Sequence, residues 1–121
     1  MIIRNARRED AKVIEELYNK YDFKLDLDHT ERLLVAQEKQ SIVAVMGINT
    51  VLECCFLTSD GVSRKNKINS LKRLVTCGIL EIKELNYDGI HAFANESIAP
   101  ILKKHFGFVP GIGENLFLFV E

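Results

Sequence analysis

The sequence predicts one α/β domain with a mixed sheet and the element order β-α-β-β-β-α-β-α-β, or the same order with one more short strand. Three observations predict it. The chain has 121 residues, 47% of them hydrophobic and 27% charged, which fits a single globular core over residues 1–121. Short apolar runs and longer helical stripes follow one another along the chain. In the second half strands and helices alternate, which favours right-handed crossovers onto the sheet.

The first half predicts a strand, a helix and three further strands. Met1–Ala6 is a short apolar stretch that ends in charged residues, and it predicts the first strand. The helix after it carries an apolar stripe at helical spacing, formed by Ile14, Leu17, Tyr18 and Tyr21. Residues 22–31 are polar and acidic and predict a loop, with at most a helical turn around Asp28–Arg32. Three apolar runs predict strands: Leu33–Gln37, Ile42–Ile48 and Val51–Thr58.

A break at Ser59–Gly61 precedes the longest predicted helix, from about Lys67 to Leu85. Its apolar positions keep helical spacing. They are Leu71, Leu74, Val75, Gly78, Ile82 and Leu85.

The last elements are a strand, a short helix and two closing strands. Gly89–Ala94 predicts the strand. Asn95 is expected to cap the following helix, with Pro100 tolerated in its first turn and Gly107 as its stop. Residues 108–121 predict two strands divided by a turn rich in proline and glycine.

Charge and composition exclude several classes of partner. The formal net charge of −1 gives no overall field for nucleic acid or an anionic membrane, and neither is expected as a partner. No apolar run has membrane-spanning length. Positive side chains nevertheless gather in one segment and could form a local anion site. They are Arg64, Lys65, Lys67, Lys72 and Arg73.

The cysteines and histidines predict neither a disulfide framework nor a metal site. Three cysteines, two of them adjacent, are typical of small buried side chains in a reducing compartment, so a cytoplasmic location is expected. Cys54 and Cys55 are expected on opposite faces of their strand. The histidines at 29, 91 and 105 have no spacing that suits zinc, and no metal is expected.

Three segments resemble the GCN5-related N-acetyltransferase (GNAT) family and together cover nearly the whole chain. Ile3–Asp10 and the apolar helix after it are similar to the family's first strand and helix. Arg64–Ser70 lies where the family's Gln/Arg-x-x-Gly-x-Gly/Ala loop precedes the long helix. Asn95–Phe108 resembles the penultimate helix, which opens with Asn and closes with Gly-Phe. The resemblance implies a GNAT-like fold and transfer of an acetyl group from acetyl-coenzyme A (acetyl-CoA) to a primary amine.

The same resemblance implies a set of cofactor contacts. In the family, backbone N–H groups at the start of the long helix hold the pyrophosphate of acyl-CoA. Here Lys67 and Asn69 replace the loop glycines. Two interpretations stay open: lysine charge replaces backbone donation, or the loop has lost its ligand. The implied contacts are Leu57, Thr58 and Ser59 along the pantetheine, Arg64, Lys65, Asn66, Lys67, Ile68, Asn69 and Ser70 at the phosphates, and Asn95 as a cap or an amide partner.

For catalysis, Glu53 is the acid inside the apolar run 51–57, near the position of a proton-accepting glutamate in some family members. The resemblance implies that Glu53 accepts the amine proton through water; a solvated carboxylate on the outer face is the alternative. Many family members carry a tyrosine acid near the end of the penultimate helix. This sequence has none there, and His105 matches on spacing alone.

Two functions follow from the resemblance. The first is an acetyl-CoA-dependent N-acetyltransferase whose acidic segment Asp22–Arg32 attracts a cationic amine, although a solvated loop explains the same residues. The second is a GNAT-like module without catalysis that binds, regulates or supports other molecules, with a homodimer as one expected form.

Overall fold

The computed structural model describes residues 1–23, 30–49, 51, 53–111 and 115–120, which form a seven-stranded sheet with helices on both faces. The strands are β1 (Ile2–Asn5), β2 (Thr30–Glu38), β3 (Ser41–Asn49), β4 (Glu53–Thr58), β5 (Gly89–Ala94), β6 (Val109–Pro110) and β7 (Asn115–Phe119). The helices are a 3-10 turn (Arg8–Asp10), α1 (Ala11–Lys20), α2 (Arg64–Glu84) and α3 (Ala99–Phe106). The predicted α/β class and order of elements are confirmed.

The sheet consists of two antiparallel halves joined by one parallel ladder. Its strand order is β1-β2-β3-β4-β5-β7-β6. Strands β4 and β5 run parallel and pair from Glu53 with His91 to Phe56 with Ala94. The other neighbouring strands pair antiparallel. The long helix α2 supplies the crossover that a parallel pair requires.

Helix α2 begins at Arg64, three residues before the predicted start. Ser63 caps it in an extended conformation, and its hydroxyl accepts from the Asn66 N–H at 3.2 Å. Residues 64–66 of the segment that resembles the phosphate loop therefore belong to the first turn of the helix, which was expected to begin at about Lys67.

Other boundaries differ from prediction as well, and Val51 lies in a turn before β4 rather than in the strand. Helix α3 begins at Ala99 rather than directly after Asn95, because a separate turn occupies the residues between them. We expected a loop with at most a helical turn around Asp28–Arg32. This expectation is wrong from Thr30 onward, because these residues belong to β2. Residues 24–29 lie outside the described residues. Gly107 ends α3 with a φ of 78°, as predicted.

The two faces of the sheet have separate apolar cores. Helix α1 packs Ile14, Leu17 and Tyr18 onto Val35, Val45 and Leu57. Helices α2 and α3 cover the larger core on the opposite face. Cys54 belongs to the second core and Cys55 to the first, which confirms their predicted opposite directions. Among the described residues, the helices are too short or too polar to cross a membrane.

A close approach between α1 and β3 fixes the position of α1. The buried Tyr18 hydroxyl lies over Gly47, where an added Cβ would be 2.1 Å from the hydroxyl oxygen. The Cys55 thiol donates to the same oxygen at 3.1 Å. The absence of a side chain at position 47 therefore makes room for the Tyr18 hydroxyl.

We predict that Gly47→Ala lowers the free energy of unfolding by about 1–3 kcal/mol, because the new methyl group displaces Tyr18. Urea unfolding of the wild type, Gly47→Ala, Tyr18→Phe and the double variant measures this. Removal of the hydroxyl opens space for the methyl group, so the double variant should be more stable than the sum of the single effects indicates. Additive effects would contradict the proposed clash.

A charged pair anchors β1 to the turn before α1. Arg4 donates to both carboxylate oxygens of Asp10, at 2.7 Å and 3.0 Å, and the Arg7 N–H donates to the same carboxylate at 2.7 Å. Asp10 is buried. The Arg4 hydrogen bonds, helped by the Arg7 N–H, hold the pKa of Asp10 below its ordinary value.

The lowered pKa predicts how stability depends on pH. Asp10 binds its proton less tightly in the folded chain, so its contribution is complete above the ordinary carboxyl pKa of about 3.9 and is lost as pH falls through the lowered value. We expect Asp10→Asn to cost about 1 kcal/mol at pH 7 and far less at pH 2. Urea unfolding at both pH values measures this, and an equal cost at both would contradict it.

Candidate functional site

A gap opens in the sheet where β4 extends beyond β5. Pairing between the two strands stops at Phe56 and Ala94, while β4 continues through Leu57 and Thr58. These two residues pair with β3 on one side, and the described chain provides no strand on the other. The edge of β4 that would continue the ladder with β5 is therefore unpaired by any described strand at these two residues.

A turn at Asn95 produces the gap. The Asn95 side-chain oxygen accepts from the backbone N–H groups of Ser97 and Ile98, at 2.9 Å and 3.0 Å, and from the Ser97 hydroxyl at 2.8 Å. The Asn95 carbonyl accepts from Ile98 and Ala99. These bonds turn the chain out of the sheet and towards α3, so β5 ends one residue earlier, at Ala94.

Two buried polar atoms without partners flank this gap. Thr58 is fully buried, and its hydroxyl oxygen has no hydrogen-bond partner. The Asn95 side-chain nitrogen is also buried without a partner, because only the oxygen of that amide serves the turn. Buried polar groups are normally hydrogen-bonded. A ligand with amide and carbonyl groups would satisfy both atoms.

The backbone of β4 presents one residue to the gap. Ser59 faces β3, since its N–H donates to Val43 at 3.0 Å and its hydroxyl to Ile42 at 2.7 Å. Hydrogen-bond direction alternates along an antiparallel ladder, so Leu57 also faces β3 and Thr58 faces the gap. The Tyr21 hydroxyl donates to the Thr58 carbonyl at 3.3 Å.

The first turn of α2 leaves few backbone donors for an anion. The Lys67 N–H donates to the Ser63 carbonyl at 2.9 Å, and the Asn66 N–H to the Ser63 hydroxyl. Helix geometry leaves the N–H groups of Arg64 and Lys65 without intrahelical acceptors. Both side chains are exposed at this positive end of the helix. An anion here would meet two N–H groups and two cationic side chains.

The other residues predicted to bind phosphate point in different directions. Ile68 packs against the core below α2, and the buried Ser70 hydroxyl donates to the Lys67 carbonyl at 2.9 Å. Asn66 and Asn69 line a groove of about 740 Å³ on the side of α2 that faces β1. The fold does not bring these two asparagines to the gap.

A second groove, of about 410 Å³, lies between α2 and α3. Ile68, Lys72 and Val75 form one wall, and His105 and Phe106 the other. On α2 the groove begins at Ile68, in the second turn of the helix. His105 is exposed in the last turn of α3.

On the face of the sheet that packs against α1, a row of side chains crosses four strands. Asn49 at the end of β3 donates to Glu53 Oε1 at 3.0 Å. Glu53 Oε2 lies 3.7 Å from His91 Nδ1 on β5. The His91 ring stacks on Phe117 of β7, with centroids 4.7 Å apart and planes 12° apart. Helix α1 covers β2, β3 and β4 on this face, and no described helix covers β5 and β7.

The cysteines near the site are poor nucleophiles. Burial raises the pKa of the Cys54 thiol to about 12. Burial also raises the pKa of Cys55, despite its hydrogen bond with Tyr18. A nucleophilic cysteine acts as the thiolate, so neither thiol suits a covalent mechanism near neutral pH.

His91 and Tyr21 belong to this region, although the sequence does not predict either of them there. His91 meets Glu53 only through the register of two parallel strands that are distant in the chain. Tyr21 was predicted to be a core residue, and its hydroxyl reaches Thr58. The prediction of an acidic amine-attracting loop includes exposed Asp22, and its residues 24–29 lie outside the described residues.

Solved structures with the same fold cover nearly the whole chain. A GNAT-family acetyltransferase from Staphylococcus aureus Mu50 is 17% identical, with a TM-score of 0.66 and 99% of both chains covered. The yncA protein of Salmonella typhimurium, solved with its cofactor acetyl-CoA, is 15% identical, with a TM-score of 0.68 and 100% and 94% covered. The spermidine N-acetyltransferase SpeG of Vibrio cholerae, as a chimera, is 14% identical, with a TM-score of 0.62 and 98% and 96% covered.

No protein-family model matches the sequence, and no curated protein matches it. At identities of 14–17% the structural likeness shows the fold. The chain therefore has the GNAT fold that the sequence resemblance implied.

Because the buried Thr58 hydroxyl has no hydrogen-bond partner, we expect its removal not to destabilise the protein. Valine has nearly the same shape without the buried polar atom, so Thr58→Val should leave the free energy of unfolding unchanged or raise it by about 1 kcal/mol. Thr58→Ser is the control, since it keeps the hydroxyl, loses a buried methyl group and should destabilise. Urea unfolding measures both. A clear loss of stability in Thr58→Val would mean that the hydroxyl has a partner in solution.

Proposed function

We propose that this chain with the GNAT fold is an acetyl-CoA-dependent N-acetyltransferase that moves an acetyl group directly to a primary amine. The observation that carries the proposal is the gap beside β4, flanked by the unpartnered Thr58 hydroxyl and Asn95 amide nitrogen. Pantetheine has amide and carbonyl groups that fit these atoms and the edge of β4. The acetyl-CoA bound to a protein of the same fold supports this choice of ligand.

The cofactor would lie on the face of α2 and α3. Its phosphates would meet the N–H groups and side chains of Arg64 and Lys65 at the start of α2. The nucleotide end would continue into the groove between α2 and α3. In this arrangement two cationic side chains replace the backbone donors that the missing loop glycines would have exposed.

The acceptor amine would approach from the face of the sheet that carries α1, because the cofactor would occupy the face that carries α2 and α3. The amine nitrogen attacks the thioester carbonyl carbon, the C–S bond breaks, and coenzyme A leaves as the thiolate. The amine must also lose a proton. Glu53 would receive that proton through water, because it lies three residues before Phe56 on β4, about 10 Å along the strand.

A cationic amine is the acceptor class that this site favours. Glu53 lies beside the aromatic rings of His91 and Phe117 on a half-exposed surface, and both carboxylates and aromatic faces attract ammonium groups. The spermidine acetyltransferase activity named for one protein of the same fold supports this class.

A second candidate is a GNAT-fold module without catalysis. It is favoured by the helical conformation of residues 64–70, in which the N–H groups of Asn66 and Lys67 already have partners. Such a module would bind no acetyl-CoA, and its cleft would serve another ligand or remain unused.

Calorimetry with acetyl-CoA separates these candidates. We expect saturable binding to the wild type, and a higher melting temperature as ligand is added. Thr58→Val should bind about fivefold more weakly through the loss of one hydrogen bond, without loss of stability. The double variant Arg64→Gln and Lys65→Gln should bind acetyl-CoA more weakly than Thr58→Val does. The loss should be greater at low salt, because salt screens the two charges in the wild type.

Arg73→Gln is the matched control, because Arg73 is a cation on α2 that points towards β1 and donates to the Met1 carbonyl. The Arg73→Gln variant should bind acetyl-CoA with the affinity of the wild type. Absence of binding by the wild type at millimolar acetyl-CoA would remove the transferase and favour the module. Equal losses in Arg73→Gln and the double variant would place the phosphates elsewhere.

A further inference from the structure

We propose that Asn49 positions Glu53, the carboxylate that receives the amine proton in the proposed function. The inference rests on that function and adds to it the residue that fixes the proton acceptor. Three observations carry it: the place of the two residues at one turn, the hydrogen bonds that fix the Asn49 amide, and the way in which those bonds divide the two oxygens of Glu53.

The sheet brings Asn49 and Glu53 together at the connection between β3 and β4. Asn49 is the last residue of β3, and Glu53 is the first of β4. The adjacent pair of the antiparallel ladder is Ile48 with Cys54, so Asn49 and Glu53 lie opposite each other at the next position. Cys54 belongs to the core on the α2 face. Neighbouring residues of a strand point to opposite faces, so Glu53 points to the face that carries α1.

The Asn49 amide is fixed by the backbone of the turn. Its side-chain oxygen accepts from the backbone N–H groups of Val51 and Glu53, at 3.1 Å and 2.9 Å. Two backbone donors on one side of the amide require the oxygen there, so the nitrogen must face the other side. That nitrogen donates to Glu53 Oε1 at 3.0 Å. One short side chain therefore orients both the turn and the carboxylate.

The hydrogen bond gives the two carboxylate oxygens different roles. Oε1 of Glu53 is occupied by the Asn49 amide. Oε2 lies 3.7 Å from His91 Nδ1, beyond hydrogen-bonding distance. The Glu53 side chain is 28% exposed, so water reaches it. Oε2 is therefore the oxygen that is placed to accept a proton through water.

The residue type at position 49 separates two explanations for this amide. Aspartate would serve the turn equally well, because its carboxylate oxygen accepts from the same two N–H groups. Aspartate has no N–H group to donate to Glu53, and its charge would repel the carboxylate. An amide of this length satisfies the turn and the carboxylate together. The donor group of Asn49 is thus the feature that the turn does not need.

Holding the carboxylate in place favours the reactive arrangement. A free glutamate side chain rotates about three bonds, and ordering it costs conformational entropy. The hydrogen bond from Asn49 restricts that motion before the substrate binds. Small errors in the position of a catalytic group reduce rates strongly, so loss of this bond should slow the reaction and leave cofactor binding intact.

The proton transfer that Asn49 supports conserves atoms and charge. The amine lone pair forms the bond to the acyl carbon. An amine proton passes to a water molecule, and that water passes one of its own protons to Glu53 Oε2. The C–S bond breaks, and coenzyme A leaves as the thiolate. The neutral carboxylic acid then returns its proton to solvent, while Asn49 stays bonded to Oε1.

Steady-state kinetics of variants at position 49 test the inference. Release of coenzyme A is followed at pH 8 with acetyl-CoA and spermidine, or a lysine peptide. Asn49→Asp keeps the length of the side chain and the turn, and Asn49→Ser keeps a neutral acceptor for the turn. Both variants lose the amide donor. We expect kcat to fall about tenfold in each, with affinity for acetyl-CoA unchanged by calorimetry.

A double variant distinguishes positioning from a purely structural role. Glu53→Gln alone should lower kcat about 10²-fold, because the proton acceptor is lost. Addition of Asn49→Asp should lower kcat by less than twofold further, since Asn49 acts through Glu53. The introduced glutamine can donate to the introduced aspartate, so the double variant keeps a hydrogen bond at the turn. Asn19→Asp is the matched control: it makes the same change on an exposed position of α1 and should leave kcat unchanged.

A value of kcat within twofold of the wild type in both Asn49→Asp and Asn49→Ser would overturn the inference and leave the proposed function intact. A loss confined to Asn49→Asp would also overturn it, because that indicates an effect of charge alone. So would a further tenfold loss when Asn49→Asp is added to Glu53→Gln, which indicates a structural role. Failure of the wild type to bind acetyl-CoA, or to use it with either amine, would remove the proposed function and this inference with it.

Discussion

The hydrogen bonds of the Asn95 side chain are the interaction on which the site depends. They redirect the chain at the end of β5, so the sheet lacks a strand beside Thr58. A longer β5 would satisfy the backbone of β4 and close the sheet. The same bonds use the amide oxygen of Asn95 and leave its nitrogen directed elsewhere. One side chain therefore both ends a strand and contributes an unpartnered donor to the space it creates.

The start of α2 adds a second constraint. A glycine-rich loop would expose several backbone donors to a phosphate, whereas a helix that starts at Arg64 uses its later N–H groups internally. The N–H groups and the exposed side chains of Arg64 and Lys65 are left at the start of the helix to hold an anion. Side-chain charge acts over longer distances than a backbone cradle and is more strongly screened by salt. The replacement of glycine thus changes the way in which an anion is held.

The order of elements was predictable from sequence because each depends on local signals. The strand predicted at Gly89–Ala94 has the same bounds in the structure. Gly107 ends α3 in the left-handed conformation, as its residue type predicts. The start of α2 was not predicted, because Ser63 is one of several polar residues in that segment that could cap a helix. Nor was the approach of His91 to Glu53, since the register of β4 and β5 follows from how α2 packs across the sheet. The cofactor and acceptor contacts remain proposals.

The parallel ladder between the two halves of the sheet is only four residue pairs long. All other strand pairs lie within one half or the other. A molecule that bonded to Thr58 on one side and to Asn95 on the other would lengthen this junction and act as an added segment of strand. The polypeptide leaves its own sheet incomplete at this point, and an occupant of the cleft would become part of the architecture.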